Sequence, residues 1–263
     1  MLEYETGLAG PRIAYRKDGA MAGVSPTGLF WLGGFKSDMT GSKAEALAEL
    51  ARATRRNLVR FDYSGHGQSG GDFSDGTISL WLEQATHMFL THTANARIVI
   101  GSSMGGWLAQ LMLRKLMRED PPAARRVAGL VLIAPATDMT RDLMWNQASE
   151  EDREALARDG VFLRPSDYGD PYPITLKLIE DGEKHLLFPE GLAPQCPVRI
   201  LQGTADADVP ASHAVKTLDA IHGSDVTLTL IKDGDHRLSN GAQLRLIQET
   251  ALRLAERADG VTH

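Results

Sequence analysis

Cysteine is nearly absent from this sequence, and so is any run that would announce a macromolecular partner. A single cysteine, Cys196, in 263 residues excludes an intrachain disulfide. The start, MLEYETGLAG, has neither a basic n-region nor an apolar h-region, so the expected setting is reducing and cytoplasmic. Cys196 stands just before the apolar run PVRILQG and reads as a small buried hydrophobe, not a nucleophile. No stretch approaches the ~18 apolar residues of a membrane span. Basic residues interleaved with aromatics are missing too, and the net charge is −6, which excludes a phosphate backbone as the main partner. Arg52, Arg55 and Arg56 fall at a helix end and Arg125 and Arg126 in a loop, where they read as solvated faces. No HExxH or CxxC spacing appears, so no metal site is expected.

What is present is an alternation of two patterns. Short, nearly all-apolar runs recur at residues 12–16, 28–34, 57–63, 96–102, 129–135, 197–203 and 226–232. Uninterrupted Val, Ile and Leu in such short strands fits burial on both faces, as in a parallel sheet covered by helices. Helical spacing fills 43–54, 78–92, 106–117, 212–222 and 242–257. The fold class is therefore α/β, a mostly parallel central sheet flanked by helices. Residues 137–195 break the rhythm. They carry no convincing strand and read as a small helical cap inserted into a core of 1–136 and 196–263. Within the insertion, Ser149 and Asp152 predict a capping box, Gly160 a helix stop, and Pro173 the start of a second helix.

Two glycine motifs compete for function. Gly65-His66-Gly67-Gln68-Ser69-Gly70 is formally GxGxxG after a strand. A dinucleotide site would run straight into a helix and place an acid about 20 residues on; here GDFSDGT follows, and the later region is helical without an acid. The second motif, Gly101-Ser102-Ser103-Met104-Gly105, is GxSxG between an apolar strand and a helix. A serine at so sharp a turn takes strained backbone angles, and the flanking glycines let strand and helix approach without Cβ clashes. Ser103 is the expected nucleophile, and Ser102 points into the turn.

A serine hydroxyl needs a histidine base and a carboxylate that orients it. Two later strands end in turns that supply them, Thr204-Ala205-Asp206-Ala207-Asp208 and Asp233-Gly234-Asp235-His236. His236 is the expected base. Asp206 is favoured as the acid, with Asp208 and Asp138 as alternatives. Met104 and Phe35 are the expected backbone donors to an oxyanion. Met139, Leu143, Met144, Trp145, Phe162, Tyr168 and Tyr172 of the insertion are candidates for the substrate pocket wall or lid.

With these residues assembled, GLFWLGGF, DYSGHGQS, GSSMGGW, LQGTADADVP and DGDHRLS together resemble the α/β-hydrolase family over nearly the whole chain. More narrowly, GGFKSDMTGSKA, VRFDYSGHGQSGG, LIEDGEKHLL and GDHRLS look like the branch that contains the mitochondrial palmitoyl-protein thioesterase, known also as an acyl-glucuronide esterase, although no transit peptide is seen here. The resemblance implies hydrolysis of an ester or thioester, with Ser103 as nucleophile, Asp206 as acid, His236 as base and Phe35 and Met104 as oxyanion donors. Such a two-step acyl transfer requires no cofactor. The partner is then a small-molecule or acylated substrate. Rival readings are a serine-dependent carbon–carbon hydrolase or peptidase, and a binding protein that kept the elbow without the chemistry.

Overall fold

The computed structural model describes residues 1–8, 10–19, 26–164 and 171–261. Its strands, numbered along the chain, are β1 (Leu2–Glu5), β2 (Ile13–Asp18), β3 (Gly28–Leu32), β4 (Leu58–Phe61), β5 (Arg97–Ser102), β6 (Val127–Ile133), β7 (Val161–Arg164), β8 (Tyr172–Thr175), β9 (Val198–Gly203) and β10 (Val226–Ile231). Eight of them form one sheet in the order β1-β2-β4-β3-β5-β6-β9-β10, while β7 pairs only with β8. From β4 to β10 the neighbours are parallel; β1 and β2 are antiparallel additions at one edge.

Successive strand residues point to opposite faces, and both faces are apolar. Phe30, Leu32, Val99, Leu130 and Leu132 join one core with helices α2 (Ile78–His92) and α3 (Met104–Glu119). Leu29, Trp31, Ile98, Ile100, Val131 and Ile133 join the other with α1 (Ser42–Ala53) and α8 (Gly241–Ala258). This two-sided burial is why β3, β5 and β6 read as continuous apolar runs. Strand β10 departs from that expectation: at the sheet edge it is half-solvated and alternates Thr with Leu. The remaining helices are the one-turn α4 (Pro121–Ala124), α5 (Glu150–Asp159), α6 (Leu176–Gly182) and α7 (Ala211–Asp219).

The insertion between β6 and β9 needs two corrections. It is not wholly helical, because β7 and β8 form a hairpin in register Val161↔Thr175 to Arg164↔Tyr172. Pro173 lies inside β8 and does not open a helix; Thr175 caps α6 instead, its hydroxyl accepting from the Leu178 N–H. The other end behaves as expected, with a reciprocal Ser149–Asp152 capping box on α5 and Gly160 stopping it at φ 73°.

Candidate active site

The sharp turn from β5 into α3 is built by close backbone packing. Ser103 sits between β5 and α3 at φ 54°, ψ −120°, a conformation costly for any residue but glycine. Its N–H donates to the Ile133 carbonyl at 2.9 Å, and its carbonyl accepts from Gly106 at 2.9 Å and Ala136 at 3.1 Å. The spacing of the glycines is steric. A Cβ on Gly101 would stand 2.2 Å from the Gly105 carbonyl oxygen, and one on Gly105 would stand 2.1 Å from that of Leu32.

Three loops at the carboxyl ends of parallel strands meet here. His236, after β10, places Nε2 3.1 Å from Ser103 Oγ and Nδ1 2.9 Å from Asp206 Oδ2. Asp206, after β9, has a side chain that is 0% exposed. Its Oδ1 accepts from the N–H groups of Asp208 at 3.0 Å and Val209 at 2.8 Å, and its Oδ2 also accepts from Gln202 Nε2 at 3.0 Å. The two turns close on each other because Gly203 has no Cβ; one would lie 2.2 Å from the Gly234 carbonyl oxygen. The structure thus brings together Ser103, Asp206 and His236. Asp138 is engaged elsewhere, accepting from Leu187 at 2.7 Å and Phe188 at 3.0 Å, so it ties down the insertion. Asp206, Asp208 and His236 offer ligand atoms within 4.8 Å of one another. Both Asp206 oxygens and His236 Nδ1 are engaged in the hydrogen bonds above.

The loop after β3 lies against Ser103, where a Cβ on Gly34 would be 3.4 Å from that of the serine. Among the described residues, the N–H groups of Phe35 and Met104 donate to no protein acceptor. A cavity of about 830 Å³ opens over this point. Met139, Leu143, Met144 and Tyr172 line it as expected. Trp145 and Phe162 do not. Trp145 ends the turn of helix at Thr140–Trp145, is 37% exposed and lies under Arg153, while Phe162 packs half-buried against the core. Tyr168 lies outside the described residues. Lys36, Lys43, Arg164 and Arg237 also line the cavity; these cations come from three separate stretches of chain, so no local pattern in the sequence announces them. Burial lowers the Lys43 ammonium to about 8, against the pull of Asp235. Burial also pushes the Cys196 thiol up to about 12, leaving no competing thiolate there.

With this geometry in place, the comparison with known sequences is decisive. A profile described as the alpha/beta hydrolase family matches residues 23–259. The chain belongs to the alpha/beta hydrolase family. Among curated alpha/beta hydrolases, the human palmitoyl-protein thioesterase ABHD10, mitochondrial, is 31% identical over 242 residues, covering 91% of this chain and 75% of that protein. Among solved structures, a putative hydrolase from Agrobacterium vitis S4 superposes with a TM-score of 0.92 at 40% identity, covering 97% of this chain and 99% of the other. Alpha/beta hydrolase domain-containing protein 10 from mouse superposes with a TM-score of 0.84 at 29% identity, covering 98% and 99%. The cytoplasmic setting expected from composition is overturned by this finding, since the five matching curated relatives are all named as mitochondrial. A lone reduced cysteine suits any compartment that keeps thiols reduced, so it could not separate the two. No helix among the described residues is long and apolar enough to cross a membrane.

Proposed function

We propose that this alpha/beta hydrolase cleaves carboxylic thioesters and esters by passing the acyl group first to Ser103 and then to water. The observation that carries this reading is the hydrogen-bond chain from the fully buried Asp206 carboxylate through His236 to the Ser103 hydroxyl. His236 Nε2 takes the hydroxyl proton as Oγ attacks the acyl carbonyl carbon, and Asp206 holds Nδ1–H so that Nε2 keeps its lone pair. The N–H groups of Phe35 and Met104, unused within the described protein, receive the oxyanion. Collapse expels a thiol or alcohol that takes its proton from His236; water, giving a proton to the same nitrogen, then releases the carboxylic acid and restores the serine.

The insertion, residues 137–195, acts in this reading as a cap whose Met139, Leu143 and Met144 offer an apolar wall to the acyl chain. Relatives named palmitoyl-protein thioesterase support a thioester with an apolar acyl group as the substrate class. The test is a panel of matched thioesters and oxygen esters of short and long acyl chains, run with wild type and Ser103→Ala. Hydrolysis of the panel that disappears in Ser103→Ala, with fluorophosphonate labelling lost in parallel, is the expected result. A folded wild type that neither labels nor hydrolyses any member would make the chain a binding protein.

A further inference from the structure

The Gly65–Gly70 loop fails as a nucleotide motif, yet it holds the strand-β3 loop in place. That loop makes a four-residue turn, in which the Ser37 N–H at 3.2 Å and hydroxyl at 2.8 Å both donate to the Gly34 carbonyl. Phe35 and Lys36 occupy its centre. Lys36 lies at φ 56°, a left-handed position that costs a non-glycine residue about 1 kcal/mol and persists only where the surroundings enforce it. Two side chains from the loop after β4 do so. His66 Nε2 accepts the Lys36 N–H at 3.1 Å while its Nδ1–H donates to the Ser64 carbonyl at 3.1 Å. Asp62 accepts the Met39 N–H at 2.6 Å and the Gln68 N–H at 2.8 Å. Gly67 makes this possible, because a Cβ there would stand 2.2 Å from Asp62 Oδ2.

The imidazole cannot swing away. It is 3% exposed and walled by the rings of Tyr63, Phe73 and Trp81 at 5.7, 5.1 and 5.2 Å. Phe35 packs edge-on against the same Phe73 and Trp81, at 4.8 and 5.8 Å. We infer that His66 is a positioning residue for the reaction, fixing through the Lys36 N–H the turn that aims the Phe35 N–H at the oxyanion. This rests on the serine-hydrolase reading above. A role in packing alone would need only the ring's volume. The role assigned here needs an acceptor at Nε2, aimed at the N–H one residue beyond the oxyanion donor.

The test separates the two with a pair of variants. His66→Phe fills the space and removes the acceptor; His66→Gln puts an amide oxygen near the position of Nε2. With a fixed p-nitrophenyl ester, His66→Phe is expected to lower kcat about 10²-fold, the scale of losing one oxyanion donor, with KM within about 3-fold and the fluorophosphonate labelling rate falling in step with kcat. His66→Gln is expected to recover kcat to within about 5-fold of wild type, since it alone restores the acceptor. A folded His66→Phe with wild-type kcat and labelling rate overturns the inference, as does equal loss in both variants. If His66→Phe does not fold, Gln is compared with His66→Asn, whose shorter amide reaches the Ser64 side only; Gln must then exceed Asn by at least about tenfold in kcat, and equality overturns the inference. Wild type that neither labels nor turns over would instead refute the hydrolase reading itself.

Discussion

Replacing Asp206 by Asn changes one oxygen to a nitrogen inside a site with no solvent to absorb the mismatch. The wild-type carboxylate accepts four hydrogen bonds, two backbone N–H groups on Oδ1 and Gln202 Nε2 and His236 Nδ1 on Oδ2. An asparagine oxygen at the Oδ1 position keeps the backbone pair but turns an NH₂ toward Gln202 and His236. Gln202 then meets donor with donor, and His236 must take the tautomer that carries its proton on Nε2, where it cannot accept from Ser103. Flipping the amide rescues His236 but faces NH₂ against two buried backbone donors, at a cost of about 1–3 kcal/mol for each. Either way kcat is expected to fall about 10³- to 10⁴-fold, or about 4–5.5 kcal/mol. The assay is steady-state hydrolysis of a thioester with active sites counted by fluorophosphonate and folding checked by thermal melting. A well-folded Asp206→Asn within tenfold of wild type would refute the assignment of Asp206.

Other outcomes follow from the same contacts. Gly105→Ala forces a Cβ to 2.1 Å from the Leu32 carbonyl oxygen, so a loss of about 3 kcal/mol or more is expected in denaturant melts, with activity falling as the β3 loop is displaced; an unchanged midpoint would contradict the packing described. Asp259→Asn breaks the buried tie from α8 to Arg56, 2.7 Å away, while Thr27 N–H at 2.8 Å can keep an oxygen. With 7% and 19% of the two side chains exposed, about 2 kcal/mol should be lost near neutral pH. Burial opposes, but hydrogen bonds from Thr27 and Arg56 outweigh it and hold the Asp259 carboxyl below 3.8, so that this stabilisation is present above pH 3.8 and disappears as pH falls through the folded-state value. His66, lowered by burial to about 4 from 6.5, acts in the same direction although it is a base: the unfolded chain binds the proton first, so stability declines from pH 6.5 down to about 4. That window is worth about 3 kcal/mol, and the stability curve of His66→Gln should be flatter by this amount, because His92, His185 and His213 contribute to both proteins alike.

Local patterns carried most of the fold and the centre of the site. GxSxG between an apolar strand and a helix located Ser103, and a carboxylate and a histidine after two late strands located Asp206 and His236, because each signal lies within a few residues of its own strand end. What sequence spacing could not convey was contact between distant segments. His66 and Asp62 serve a turn some 30 and 23 residues earlier, reached only because β4 lies beside β3 in the sheet. The short antiparallel β1 at the edge and the four-residue β7–β8 hairpin are half-buried pieces without a full amphipathic period. Trp145 and Phe162 looked like pocket residues by composition alone; which way each turns depends on the helical turn at Thr140–Trp145 and on the hairpin's packing.

The most direct measurement is peptide mapping by mass spectrometry after rapid acid quench of enzyme mixed with a long-chain acyl thioester. An acyl mass increment on the peptide containing Ser103, present in wild type and absent in Ser103→Ala together with turnover, is the expected result. Continued turnover by Ser103→Ala, or an acyl group found on Cys196 or any other residue in its place, would contradict the assignment of Ser103 as the acyl carrier.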